Sequence, residues 1–162
     1  MLHSVAVLED RGGQVTALIQ NGLMARAQGD CVVITRGERP DCLSGAYDLF
    51  VVGRSGWEHF SDLPKIRCRA LLVPGNISGQ TIAGIQSKWV VSYGLSGKDS
   101  ITVSSLEKDM AVLALQRELM TLQNQVIERQ ELPVRLPDES NSEEVMAAYG
   151  SLLLLGGIPV LS

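Results

Sequence analysis

Short apolar runs alternate with more polar segments through residues 1–97. Five of these runs predict strands that are buried on both faces, at residues 3–9, 31–35, 47–53, 68–75 and 88–94. Residues 14–29 place Leu18, Ile19 and Leu23 on one helical face, and residues 78–87 allow a short second helix. Strands that alternate with crossovers in this way predict a mostly parallel sheet covered on both faces.

The pattern of the next part of the chain is different. Residues 100–107, 111–119 and 125–136 follow in quick succession and predict an antiparallel meander. Within them, ITVSS and VIERQELPV carry alternating apolar and polar positions. Turns are expected at residues 107–109 and near Asn124. Residues 110–123 would also suit a helix. We favour strand there because a helix would leave two lone strands beside it.

A final helix is predicted over residues 142–157. Ser142 is the expected N-cap, and Glu143 and Glu144 in the first turn complement the helix dipole. A glycine pair at residues 156–157 marks the end of the helix. Apolar residues occur on nearly all sides of this helix, so it is either buried or offers one face to a partner.

Together these elements predict a single α/β domain over residues 1–162. Its mostly parallel, Rossmann-like or P-loop-like sheet spans 1–97, its antiparallel β extension spans 98–137, and its C-terminal helix spans 142–157. Apolar residues make up 45% of the chain, which is enough for an ordinary core. Aromatic residues make up only 4%, so the core is aliphatic.

Charge and composition narrow the classes of function. The net charge is −4, and basic residues such as Arg36 and Arg69 are scattered among acids, where we expect them at the solvated surface. We therefore expect no binding to nucleic acid, which requires a basic face. We also expect no secretory leader and no membrane span. Three cysteines without metal-ligand spacing fit a reduced, cytoplasmic protein with no metal and no cofactor.

Residues 5–18, VAVLEDRGGQVTAL, have the strand–turn–helix layout that holds a phosphate in many α/β proteins. Gly12 and Gly13 could form the turn. Glu9 and Asp10, however, would face a bound triphosphate. Like charges about 4 Å apart repel by about 1 kcal/mol in water and by several at protein-like screening. We therefore predict that no nucleoside triphosphate binds at this turn.

Two later stretches carry a family resemblance, VVSYGLSGKDSITVSS at residues 90–105 and AAYGSLLLLGGIP at residues 147–159. After the strand–turn–helix start, their order is similar to that of the central, ATP-binding domain of the Mur ligases, which add amino acids to peptidoglycan precursors. The resemblance implies that the first turn stands where this family has a Gly-Lys-Thr phosphate loop. Gln14 then takes the place of the lysine, and Val15 or Thr16 falls near the hydroxyl position.

These departures imply a degenerate phosphate loop, because the loop needs a lysine charge as well as backbone amides aimed at the phosphates. The sequence also ends after the last helix, without the further domain that would bind the incoming amino acid in a Mur ligase. Mur-type ligation is therefore not expected.

Two loops after predicted strands hold further candidate residues. Arg54 and His59 follow the third strand and could line a ligand crevice at the strand ends, or belong to a surface loop. Asn76 and Ser78 follow the fourth strand and could bind an anion at a helix start, although Ser78 could serve only as an N-cap. We expect the loop at residues 94–100 to be solvated.

Three hypotheses for function follow. The first is a non-catalytic relative of the Mur ligase central domain that acts as a binding or assembly module. The second is a small-molecule-binding protein or enzyme that uses the strand-end crevice, lined by Glu9, Asp10, Arg54 and His59. The third is a structural homo-oligomer, such as a homodimer, that pairs through its apolar terminal helix or the edge of the meander.

Overall fold

A computed structural model describes residues 2–26, 29–53, 65–77, 84–136 and 140–156. Ten strands and two α-helices lie within these ranges. The helices are α1 (Gln14–Ala25) and α2 (Ser142–Leu154). The strands, in chain order, are β1 (His3–Leu8), β2 (Val32–Gly37), β3 (Gly45–Val52), β4 (Ile66–Pro74), β5 (Ile85–Tyr93), β6 (Ile101–Leu106), β7 (Met110–Leu115), β8 (Leu119–Met120), β9 (Val126–Ile127) and β10 (Gln130–Arg135). Short 3₁₀ helices span Gly29–Cys31 and Pro40–Leu43.

Eight of these strands form one mixed sheet in the order β10-β7-β6-β5-β4-β3-β1-β2. Strands β1 to β5 are parallel to their neighbours, and β6 extends this arrangement through the pair Tyr93–Ile101. Strands β7 and β10 add an antiparallel extension, while β8 and β9 form a separate hairpin. The predicted fold class is confirmed: an α/β fold with a mostly parallel sheet, an antiparallel extension and a C-terminal helix.

The meander is confirmed as strand. Residues 110–115 form β7, whose residues alternate between buried and half-buried positions, as expected for a strand covered mainly on one side. The strand predicted over 111–119 is interrupted, since β7 ends at Leu115 and the short β8 begins at Leu119. Asn124 adopts φ of 60° between β8 and β9, which confirms the turn predicted there.

The two faces of the parallel sheet carry separate apolar clusters. Val5 and Val7 of β1 face the side on which both helices pack, and Ala6 and Leu8 face the other side. On the second side, Leu43 of a 3₁₀ helix joins the cluster. Because the helices also pack against each other, the first cluster is continuous from the parallel strands to the antiparallel extension.

Helix α2 is buried within the chain on all sides, from Val145 to Leu155. The burial predicted for this apolar helix is confirmed. Because the rest of the chain covers α2 from Val145 to Leu155, this part of the helix offers no free face through which two copies could pair. Ser142 is not the N-cap as predicted. Asn141 caps the helix, accepting the Glu144 N–H at 2.8 Å and donating to the Glu144 carboxylate at 2.9 Å.

Helix α1 is shorter than its apolar pattern predicts. It ends at Ala25, where Arg26 leaves the helical conformation and donates its N–H to the Leu23 carbonyl at 3.2 Å. This tighter closing turn stops the helix ahead of Gly29, which starts a 3₁₀ turn that leads into β2. The predicted end at residue 29 is therefore wrong.

The contact between the two helices requires a glycine. A Cβ atom at Gly22 of α1 would lie 2.3 Å from Cδ1 of Leu152 of α2. Leu152 is buried in the core and has little room to move aside. The close approach of α1 and α2 therefore depends on the missing side chain.

We expect Gly22→Ala to lower the free energy of unfolding by about 1–3 kcal/mol, because overpacking outweighs the helix propensity that alanine adds. Urea unfolding followed by circular dichroism measures this change. The matched control is Asn21→Ala at the neighbouring exposed position, which should be neutral or slightly stabilising. A Gly22→Ala protein as stable as the control would contradict the packing.

The three thiols differ in their surroundings. Cys31 and Cys42 are exposed, whereas Cys68 is buried. Burial raises the pKa of the Cys68 thiol to about 12. Because the thiolate is the reactive form, we expect the folded protein to react rapidly with Ellman's reagent at the two exposed cysteines and to show the third only after denaturation. Rapid reaction of all three thiols in the folded protein would contradict the burial.

Candidate functional site

The carboxyl ends of the parallel strands meet at one edge of the sheet, where α/β proteins bind their ligands. The chain switches direction at β1, which lies between β2 and β3 in the sheet. Glu9 and Asp10 follow β1 at this switch point. Beside them the Gly53 N–H donates to the Leu8 carbonyl at 2.7 Å, which holds the end of β3 against β1.

Glu9 is turned inward, onto the start of α1. Its side chain is buried, and Oε1 accepts the Val15 N–H at 2.9 Å. Oε2 accepts the Thr16 N–H at 3.0 Å and also the Thr16 hydroxyl. The expectation that Glu9 faces a ligand is therefore wrong, since both of its oxygens are bonded to the first turn of the helix.

The reason for this arrangement lies in the start of α1. The N-cap, Gly13, has φ of 64° and no side chain with which to cap the helix, and no acidic residue lies in the first turn. The first amides of a helix have no partner within the helix, and the N-terminal end of the helix dipole favours a negative charge. Glu9, reaching across from the end of β1, supplies both the acceptors and the charge.

Arg36 holds the other side of the same carboxylate. Its Nε lies 3.5 Å from Glu9 Oε2, and its Nη2 donates to the Asp10 carbonyl and lies 4.0 Å from Glu38. Arg36 is exposed, as expected, but its guanidinium is also bonded to the chain beside Glu9. The strand pairing could have indicated this contact, because β2 lies beside β1 in parallel and Arg36 stands next to Val7.

The remaining residues predicted at this turn lie at its surface. Asp10 is exposed, and its Oδ1 accepts the Gly12 N–H at 3.2 Å, which shapes the turn. Gln14, which the resemblance predicts in place of a lysine, donates from Nε2 to the Ser140 hydroxyl at 3.2 Å. Arg54, His59 and Ser78, also predicted as site residues, lie outside the residues that the structure describes.

A cleft of about 440 Å³ opens at the ends of β4 and β5, next to the start of α2. Asn76, predicted from the sequence, lines this cleft. The other side chains that line it include Tyr93, Lys98, Asp99, Glu143 and Met146. No local sequence pattern predicts this group of residues as a site, because they come from three separate segments of the chain.

Asp99 is the buried polar residue of the cleft, with 5% of its surface exposed. Its Oδ2 accepts the Ser96 N–H at 3.1 Å. Glycines end both neighbouring strands, and a Cβ atom would lie 1.7 Å from Asp99 Oδ1 at Gly75 and 2.4 Å from Oδ2 at Gly94. The expectation of a solvated loop over residues 94–100 is therefore wrong at Asp99. Glycines at the ends of two adjacent strands were the sequence signal for this close packing.

The antiparallel extension fixes the loop that carries Asp99. Gln116, just after β7, donates from Nε2 to the carbonyls of Ser96 and Asp99 at 3.0 and 2.8 Å. Arg117 donates to the carbonyl of Lys98. The loop is thus held by side chains from a distant part of the sequence, and Asp99 keeps a fixed position in the cleft.

The surroundings of the cleft are acidic. Burial raises the pKa of the Tyr93 hydroxyl, which donates to the Val52 carbonyl at 2.7 Å, and the negative charge of Glu143 raises it further. Burial also raises the pKa of Glu144, and the charges of Asp10 and Glu9 add to that effect. The cleft and the first β–α turn therefore lie at the same negatively charged edge of the sheet. Within the described ranges, no cluster of three or more His, Cys, Asp or Glu residues is suited to a metal ion.

No family model, curated protein or solved structure matches this chain. The similarity to the Mur ligase central domain therefore stays a prediction from the sequence. Among the helices that the structure describes, none is long and apolar enough to cross a membrane.

We expect Glu9→Gln to lower the free energy of unfolding by about 1–3 kcal/mol. The amide keeps one acceptor but turns an NH₂ group towards backbone amides or Arg36, and it removes the charge at the helix start. Chemical unfolding monitored by circular dichroism gives the measurement.

The control for this substitution is Glu38→Gln, since Glu38 is a more exposed carboxylate near the same Arg36. Exposed ion pairs contribute little, so this change should cost less than about 0.5 kcal/mol. Equal losses for the two variants would show that Glu9 contributes no more than an exposed surface charge.

Proposed function

We propose that the protein is a non-catalytic binding module, with a layout similar to the Mur ligase central domain, whose first β–α turn binds no nucleoside triphosphate. One observation carries this proposal: the Glu9 carboxylate accepts the Val15 and Thr16 amides at the start of α1. These are the kind of groups that a phosphate uses at such a turn. The order of parallel strands, antiparallel extension and terminal helix supports the likeness in layout.

A triphosphate at this turn would have to displace Glu9. The displaced carboxylate would lose its two backbone amides, and hydrogen bonds to charged groups contribute about 1.5–3 kcal/mol each. If Glu9 stayed close by, its repulsion from the phosphate would be about 4 kcal/mol at a separation of 4 Å near a protein surface. Arg36 adds little attraction, since Glu9 and Glu38 already lie beside it. Nucleotide binding is therefore disfavoured.

The binding role fits the cleft between β4, β5 and α2 better than the first turn. Its volume of about 440 Å³ is of the size that small ligands occupy. It combines the apolar Met146 and the ring of Tyr93 with convergent polar groups, among them Asp99 and Asn76. These features support the small-molecule hypothesis. The site that they favour is this cleft, and not the predicted crevice near Glu9 on the same edge of the sheet.

Pairing of two copies through the edge of the meander is less well supported. The edge strand β10 carries Pro133, which has no N–H to donate, together with the exposed charges of Glu131 and Arg135. Proline and charges at an edge strand are features that oppose strand pairing between molecules.

We expect isothermal titration of the full chain with Mg-ATP to show no binding tighter than about 1 mM. Gln14→Lys should not create binding, because Glu9 still bonds to the amides of the turn. Binding by the wild-type chain, with NMR amide shifts at Val15 and Thr16, would contradict the proposal.

A further inference from the structure

We propose that His3 and Gln123 form a pH-sensitive latch, in which a proton taken up by His3 releases Gln123 from the Leu155 carbonyl and loosens the turn of the β8–β9 hairpin. The latch lies at the edge of the sheet where the parallel strands begin, since His3 is the first residue of β1. The first β–α turn and the cleft lie at the opposite edge. The inference therefore goes beyond the proposed binding function and does not rest on it.

The side chain of Gln123 connects the turn of the hairpin to β1 and to the end of α2. Its Nε2 donates to the Leu155 carbonyl at 3.0 Å and lies 3.3 Å from Nε2 of His3. Gly156 leaves room for this side chain, because a Cβ atom there would lie 2.3 Å from Gln123 Oε1. The amide nitrogen is thus placed between one carbonyl oxygen and one imidazole nitrogen.

The hydrogens of this amide group determine the protonation state of His3. An amide NH₂ group has two hydrogens to donate and accepts none. With one hydrogen directed to Leu155, the other bonds to His3 only if Nε2 of His3 carries a free lone pair. The proton of a neutral His3 then lies on Nδ1, a buried atom without a hydrogen-bond partner in the described part of the chain, 3.7 Å from Asp48 Oδ2.

A second proton on His3 would turn Nε2 into a donor that faces another donor. Rotation of the Gln123 amide by half a turn would place Oε1 against Nε2, but that oxygen would then also face the Leu155 carbonyl. The bond between Gln123 and Leu155 is lost in either case. Because histidine ordinarily changes its charge between about pH 5 and pH 8, this loss is expected on mild acidification.

The groups around His3 allow it to take up the proton in place. Its side chain is 12% exposed, and Asp48 of β3 lies on the Nδ1 side, where its carboxylate can pair with an imidazolium. Arg69 of β4 competes for this carboxylate, since its Nη1 lies 3.8 Å from Oδ1. β2 places the apolar Val32 beside His3, and the hairpin contributes the uncharged Gln123. Protonated His3 therefore keeps Asp48 as a partner while it loses Gln123.

The loosening is expected to stay local to the hairpin turn. The Leu122 N–H still donates to the Leu154 carbonyl at 2.8 Å, and the side chains of Leu119 and Ile127 are buried in the core. Residues of the hairpin also line a cleft of about 380 Å³ together with Gly156. We therefore expect the state of the latch to change the shape of this second cleft without unfolding the chain.

The test follows the full ¹⁵N-labelled chain by NMR from about pH 8 to about pH 5.5, within the range in which histidine titrates. The ring signals of His3 give the midpoint of its titration. We expect the side-chain NH₂ signals of Gln123 and the amide signal of Gly156 to shift with the same midpoint. His3→Gln should abolish this transition, whereas His59→Gln, at the other histidine of the chain, should leave it unchanged.

Gln123→Met tests the same coupling from the other side, and it remains informative if His3→Gln does not fold. Since protonation breaks a bond of Gln123, removal of that bond should make protonation easier by the same free energy. One net hydrogen bond corresponds to a rise of the His3 midpoint by about 0.4–1 pH unit. Gln125→Met, the same change at an exposed residue of the same turn, is the matched control and should leave the midpoint unchanged.

Three results would overturn the inference. The first is that the Gln123 signals do not follow the titration of His3. The second is a Gln123 transition that persists in His3→Gln, and the third is an equal His3 midpoint in the wild-type chain and in Gln123→Met.

Discussion

The bond between the Glu9 carboxylate and the first turn of α1 is the interaction on which the rest of the structure depends. It joins the end of β1 to the start of α1, and Arg36 ties the same carboxylate to β2. With α1 fixed in this way, Gly22 allows α2 to approach closely, and α2 in turn fills the space over the sheet. One buried charge with full partners thus positions three elements.

The same bond has a consequence for function. In a phosphate loop, the backbone amides at the helix start are open, and the ligand supplies the oxygens that accept their hydrogen bonds. Here Glu9 supplies these oxygens, so the Val15 and Thr16 amides at the start of α1 are bonded within the protein. The binding site that we propose lies further along the same edge, at the ends of β4 and β5. There Asp99 lies in a loop that the antiparallel extension anchors, and its Oδ2 accepts the Ser96 N–H.

Much of the fold could be predicted because its signals are local. Parallel strands buried on both faces are short apolar runs. Strand was chosen correctly over helix at residues 110–115 because a helix there would have left two lone strands beside it. The cap of α2 was misplaced by one residue, since Asn141 and Ser142 are both good caps and the choice depends on the path of the entering chain. The contact of Arg36 with Glu9 and the burial of Asp99 were missed for a different reason. Each residue is positioned by partners from distant segments, Glu9 for Arg36 and Gln116 for the Asp99 loop, and no local pattern records such pairs.

Amide hydrogen exchange at the start of α1 tests the central claim most directly. First-turn amides of a helix normally lack a partner and exchange rapidly. We expect the amides of Val15 and Thr16 to be protected in the native protein, to a degree similar to amides in the middle of α1, and we expect Glu9→Gln to accelerate their exchange selectively. Exchange of both amides at the rate of exposed backbone in the wild-type protein would contradict it.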